Sequence, residues 1–121
     1  MPGKAILIVD DNPSNLKLMR VLLSGEGFEV RTALDANEAL ASLALSRPAL
    51  ILMDIQLPGM DGLELTRRIK SEAATAKIPV VALTAYAMAG DEARAKEAGC
   101  DAYVTKPIDT RALPKLISSL V

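Results

Sequence analysis

The chain has 121 residues, half of them hydrophobic, with 14 Lys and Arg against 15 Asp and Glu for a net charge of −1. That length suits one domain, residues 1–121, with enough apolar material for a real core, so whole-chain disorder is excluded. The balanced charge and the near absence of aromatic residues (Phe28, Tyr86 and Tyr103) argue against nucleic-acid binding, and the lack of a basic amphipathic stretch argues against a membrane surface.

Met1-Pro2-Gly3-Lys4 leads directly into Ala5–Val9, a continuous apolar run of strand length, which leaves no room for a signal peptide and gives the expectation of a cytoplasmic protein. Asn12 as a cap and Pro13 in the first turn then start a helix with Leu16, Met19 and Leu23 on one stripe, stopping near Gly25 and Gly27. A second strand is predicted at Phe28–Thr32, and Ala36, Ala39, Leu40 and Leu43 recur at helical spacing before Pro48. The third strand is Ala49–Met53, followed by a loop from Asp54 to Asp61 with Pro58-Gly59 as its turn and Asp61 as the next cap. Leu65 and Ile69 mark the third helix, and Val80–Leu83 the fourth strand. An alanine-rich helix runs from about Gly90 to Ala98, ending at Gly99. Its thin apolar face gives the expectation of the least stable element. Cys100, the only cysteine, reads as a buried, inert thiol; with no histidine in the chain, neither a disulfide nor a zinc site has ligands. Ala102–Val104 is the fifth strand, and Leu113, Leu116, Ile117 and Leu120 stripe the last helix.

Strands alternating with helices of this size predict an α/β fold: a flavodoxin-like (βα)5 three-layer sandwich with parallel strand order 2-1-3-4-5. Ligands of such sheets sit at the carboxyl ends of the strands, at the switch point between the first and third. The residues there are Asp10 and Asp11, Asp54, Thr84, and Thr105-Lys106. Three clustered carboxylates repel one another unless a cation joins them. An all-oxygen donor set without His or Cys selects a hard ion, and Mg²⁺ fits best. Lys106 brings a compact positive charge and Thr84 a hydroxyl donor, both suited to phosphoryl oxygens. A carboxylate nucleophile, a divalent cation, a lysine and a hydroxyl together describe phosphoryl transfer onto aspartate.

Ile6-Leu7-Ile8-Val9-Asp10-Asp11-Asn12, Leu52-Met53-Asp54-Ile55-Gln56-Leu57-Pro58-Gly59-Met60-Asp61-Gly62, Leu83-Thr84-Ala85 and Tyr103-Val104-Thr105-Lys106-Pro107 resemble, in this order, the receiver domains of bacterial two-component response regulators, the CheY-like superfamily. The likeness covers Lys4 to Leu120, and in flavour is nearest to single-domain regulators of the DivK and CheY kind and to receivers of hybrid histidine kinases. It implies that Asp54 accepts a phosphoryl group from a histidine kinase or histidine phosphotransfer protein. Asp11, Asp54 and the Gln56 backbone carbonyl would ligate Mg²⁺, with Asp10 reaching it largely through water. Lys106 would contact the phosphoryl group, next to a cis bond to Pro107. Thr84 and Tyr103 would switch, changing the face of the fourth helix, fifth strand and fifth helix that meets a downstream protein target. Gln56 and Tyr86 resemble the pair that tunes acyl-phosphate lifetime, with the bulk of Tyr86 expected to slow hydrolysis. The expected protein is a signalling domain rather than an enzyme, monomeric until phosphorylation and then open to dimerisation through its output face. A phosphorylation-independent docking scaffold is the alternative. A small Mg²⁺-dependent aspartyl phosphatase of the haloacid dehalogenase type fits less well, because Asn12 stands where its second acid belongs.

Overall fold

A computed structural model describes residues 4–55, 61–84, 91–105 and 108–121. The described elements alternate strictly. They are β1 Ala5–Val9, α1 Pro13–Gly25, β2 Glu29–Ala33, α2 Ala36–Leu45, β3 Leu50–Asp54, α3 Gly62–Ser71, β4 Val80–Thr84, α4 Asp91–Ala98, β5 Ala102–Thr105 and α5 Ala112–Leu120. The strands form one parallel five-stranded sheet in the order β2-β1-β3-β4-β5, the flavodoxin-like, CheY-like arrangement the sequence predicts.

Strand side chains alternate between two cores, as period-two geometry requires of a sheet covered on both faces. Ile6, Ile8, Leu50, Leu52, Val81 and Leu83 point to one side, where Leu16, Met19 and Leu23 of α1 and Leu113 and Ile117 of α5 cover them. Leu7, Val9, Ile51, Met53, Val80 and Ala82 point to the other, against Ala39 and Leu43 of α2, Leu65 and Ile69 of α3, and Ala95 and Ala98 of α4. The helical stripes read from the sequence are the stripes that pack. Asn12 caps α1, accepting from Ser14 and Asn15, and Asp61 caps α3, accepting from Leu63 and Glu64.

Element boundaries differ from expectation in an instructive way. β2 starts one residue late because the Phe28 amide donates to the Leu23 carbonyl (3.1 Å) and closes the end of α1, while its ring packs under that helix. β3, β4 and β5 each run one residue further than their apolar runs. Asp54 stays in register with Leu83, and Thr84 with Thr105, because a parallel ladder needs only backbone groups.

At the amino-terminal end of the sheet, Lys70 ties the chain together. Its ammonium donates to the carbonyls of Ala76 (3.3 Å) and Ile78 (2.8 Å) and to the Asp101 carboxylate (3.0 Å). The same carboxylate oxygen accepts the Val80 amide at 2.9 Å, so α3, the 72–79 turn, β4 and β5 share one charge pair. Gly99, at φ +107°, ends α4 with its Cα face against the Lys70 stem. No helix among the described residues is long and apolar enough to cross a membrane.

Candidate functional site

The strand order sets β1 beside β3, so the acids that follow one meet the acid that ends the other. Each of Asp10, Asp11 and Asp54 offers a carboxylate oxygen, and these oxygens all lie within 4.8 Å of one another. Asp10 is fully buried and Asp54 is 5% exposed, whereas Asp11 opens to solvent. Asp10 is held from both ends. Its amide donates to the Ala33 carbonyl (3.0 Å), its Oδ1 accepts the Asn12 amide (2.9 Å), and its Oδ2 lies 3.5 Å from the Asn15 side-chain nitrogen. The Asp54 backbone belongs to the β3–β4 ladder, and the Ile55 amide continues it to Leu83 (3.0 Å).

Thr84, 3% exposed, ends the neighbouring strand. Tyr103 sits half-buried on β5, its ring packed against the core under α3 and α4 and its hydroxyl oxygen withdrawn from solvent. Asp10, Asp11, Asp54 and Thr84 thus stand along one rim of the sheet, with Tyr103 level with Ala82, two positions inside the end of β5. Lys106, Pro107, Gln56 and Tyr86 lie outside the described residues. The rim's floor is set by α3: the Gly62 amide donates to the Ile55 carbonyl (2.7 Å), and the buried Thr66 hydroxyl bonds the Gly62 carbonyl (2.8 Å). Sequence reasoning passed over Asn15 and Gly62. Asn15 gives no signal beyond lying on the first turn of α1, while Gly62 stands directly after a helix cap, where a glycine gains nothing for the helix.

Concavity alone would mislead here. A groove of about 530 Å³ lies between the carboxyl ends of α2 and α3, lined by Leu40, Leu43, Leu45, Arg47, Arg68 and Thr75. It is at the far end of the sheet from the acids. Oxygen donors converge instead at the strand-end rim, and an all-carboxylate set suits a hard divalent cation.

Comparison with known proteins agrees with that geometry. The response regulator receiver domain family matches residues 6–118. The polar-differentiation response regulator DivK of Brucella anthropi is 44% identical over 117 residues, covering 97% of this chain and 93% of its own. The chemotaxis protein CheY4 of Vibrio cholerae superposes with a TM-score of 0.92 at 27% identity, over 98% of this chain and 99% of that one. The receiver domain of a sensor histidine kinase from Pseudomonas aeruginosa superposes at 0.89 with 34% identity, over 98% and 97% of the two chains. That domain was solved with a magnesium ion coordinated in its active site cleft. The match runs from β1 into α5 and takes in the whole acid rim, and the chain belongs to the response regulator receiver domain family, the signalling switches of two-component systems.

Proposed function

We propose that residues 1–121 form one receiver domain whose Asp54 is the phosphoacceptor. The observation that carries this is the convergence of Asp10, Asp11 and Asp54 within 4.8 Å, with Asp54 fixed on the strand ladder. A carboxylate oxygen of Asp54 attacks the phosphorus of a phosphohistidine on a histidine kinase or phosphotransfer protein. The P–N bond breaks, and the departing imidazole keeps the electron pair. Asp11, Asp54 and the Gln56 carbonyl would hold Mg²⁺, which supplies charge neutralisation for the phosphoryl oxygens. Asp10, in line with the family resemblance, would reach the ion largely through water. Lys106 and the Thr84 hydroxyl donate to phosphoryl oxygens.

The switch follows from the same rim. Thr84 turns toward the phosphoryl group, Tyr103 moves into the space beside it, and the α4–β5–α5 face changes for a downstream protein. The domain is monomeric before phosphorylation and dimerises, if at all, through that face. Its chemistry is stoichiometric self-phosphorylation and self-dephosphorylation, without turnover of a substrate. Gln56 and Tyr86 set the acyl-phosphate lifetime, so Tyr86→Ala shortens it; an unchanged hydrolysis rate would remove that role. A cytoplasmic location goes with this reading, since phosphohistidine donors are made from ATP.

The deciding experiment is intact-protein mass after incubation with a small-molecule phosphodonor and Mg²⁺, beside an Asp54→Ala control. One phosphate adduct that requires Mg²⁺ and vanishes in the control supports the proposal. No adduct on folded protein would make the domain a docking scaffold instead.

A further inference from the structure

Glycine occurs in folded chains for two physical reasons, a backbone conformation other residues avoid or a lack of room. Gly62 is not among the glycines at positive φ, which in the described residues are Gly27 and Gly99. Its backbone, the first turn of α3 after the Asp61 cap, suits any residue. Room is what it lacks. A Cβ at position 62 would collide with the Asp54 carbonyl oxygen, and would come within 2.9 Å of the Asp54 carbonyl carbon and 2.8 Å of the Ile55 Cα. All three are backbone atoms, so no rotamer change relieves the contact.

The approach is also fastened. Gly62 donates its amide to the Ile55 carbonyl (2.7 Å), which ties the first turn of α3 to the end of β3. We infer that Gly62 is a positioning residue for Asp54: its bare Cα lets the start of α3 seat against the Asp54 peptide and so fixes the acidic rim. Bulk at position 62 is passed directly to the Asp54 backbone and moves its carboxylate relative to Asp10 and Asp11. The inference rests on the role proposed for Asp54.

The test pairs Gly62→Ala with Gly25→Ala, whose new methyl meets nothing within 4 Å. Gly62→Ala, compared at a temperature where it is folded, forms the phosphate adduct about tenfold to a hundredfold more slowly, the scale expected of an ångström-sized misplacement. It also binds Mg²⁺ more weakly, with the Asp54 and Ile55 amide resonances displaced; Gly25→Ala matches wild type throughout. A folded Gly62→Ala protein with unchanged rate, Mg²⁺ affinity and Asp54 resonance overturns the inference and leaves the phosphoacceptor reading standing. Displaced resonances together with no adduct on wild type would support the positioning contact and sink the reading instead. Should Gly62→Ala not fold, Mg²⁺ titration of wild type decides. The Gly62 amide shifting together with that of Asp54 supports the coupling, and a stationary Gly62 amide while Asp10, Asp11 and Asp54 shift overturns it.

Discussion

The two ends of the sheet use charged side chains to opposite purposes. At the amino-terminal end, the Lys70 ammonium, with 18% of its side chain exposed, meets one carboxylate and two carbonyls, and the Asp101 oxygen it bonds also accepts the Val80 amide. Charge there is neutralised within the chain and joins four pieces of backbone. At the carboxyl end, three carboxylates are held within 4.8 Å of one another, two of them buried, so like charges gather on one rim. One end is built for stability. The other gathers carboxylates in the pattern that the proposed phosphoacceptor role requires.

Separating the two ends by mutation should therefore separate activity from stability. The largest effect is Asp54→Asn: phosphate labelling falls to zero, while the urea midpoint without Mg²⁺ stays near that of wild type. A clear loss of stability would mean that Asp54 is mainly structural. Next is Lys70→Met, which takes one donor from Asp101, still bonded by the Val80 amide, and the donor from two carbonyls, and should cost about 1–3 kcal/mol of unfolding free energy. Labelling per folded molecule stays at the wild-type level. If labelling fell in step with the Lys70 change, the ends would be coupled and the comparison would fail.

Mg²⁺ gives a smaller and sharper test. A cation that binds only the folded chain stabilises it by about 1.4 kcal/mol at ten times its dissociation constant. Millimolar Mg²⁺ should raise the urea midpoint of wild type and of Lys70→Met by similar amounts, and that of Asp54→Asn little. Equal shifts in all three proteins would place the ion somewhere other than the acidic rim.

Much of this was readable from the residues. The apolar runs of β1 and β3, the helical stripes Leu16-Met19-Leu23 and Leu65-Ile69, and the caps Asn12 and Asp61 are local signals, and packing obeys them. Asp10, Asp11 and Asp54 were legible because parallel topology fixes where strand ends go. Strand ends themselves were not: Asp54 and Thr84 are polar, and side-chain patterning cannot reveal a ladder carried by backbone groups. The Lys70–Asp101 pair joins residues 31 apart in sequence, with no periodicity to betray it. Gly62 was visible only as a letter in a motif, since its reason for being glycine is the Asp54 carbonyl across the loop.

The smallest effect concerns Cys100, which lies with the stabilising end: it is 8% exposed, with Sγ 4.0 Å from the Thr66 hydroxyl. Burial pushes its thiol above the ordinary value of 9.0, with the Asp101 charge adding to the rise while the Thr66 contact and Lys70 pull the other way. The folded chain thus holds this proton more tightly than the unfolded one. Below pH 9 both forms keep it and the contribution to stability is complete. As pH climbs past 9 the unfolded thiol ionises first, and stability drains away until the folded thiol titrates too. Cys100→Ala removes that component, so the difference between its unfolding free energy and that of wild type should change only above pH 9. Native Cys100 should also resist a thiol reagent at pH 8 and react faster in Lys70→Met, where the loosened end opens more often. Fast labelling of the native wild type would show the amino-terminal end to be less closed than its hydrogen bonds imply, and the contrast between the two ends would narrow accordingly.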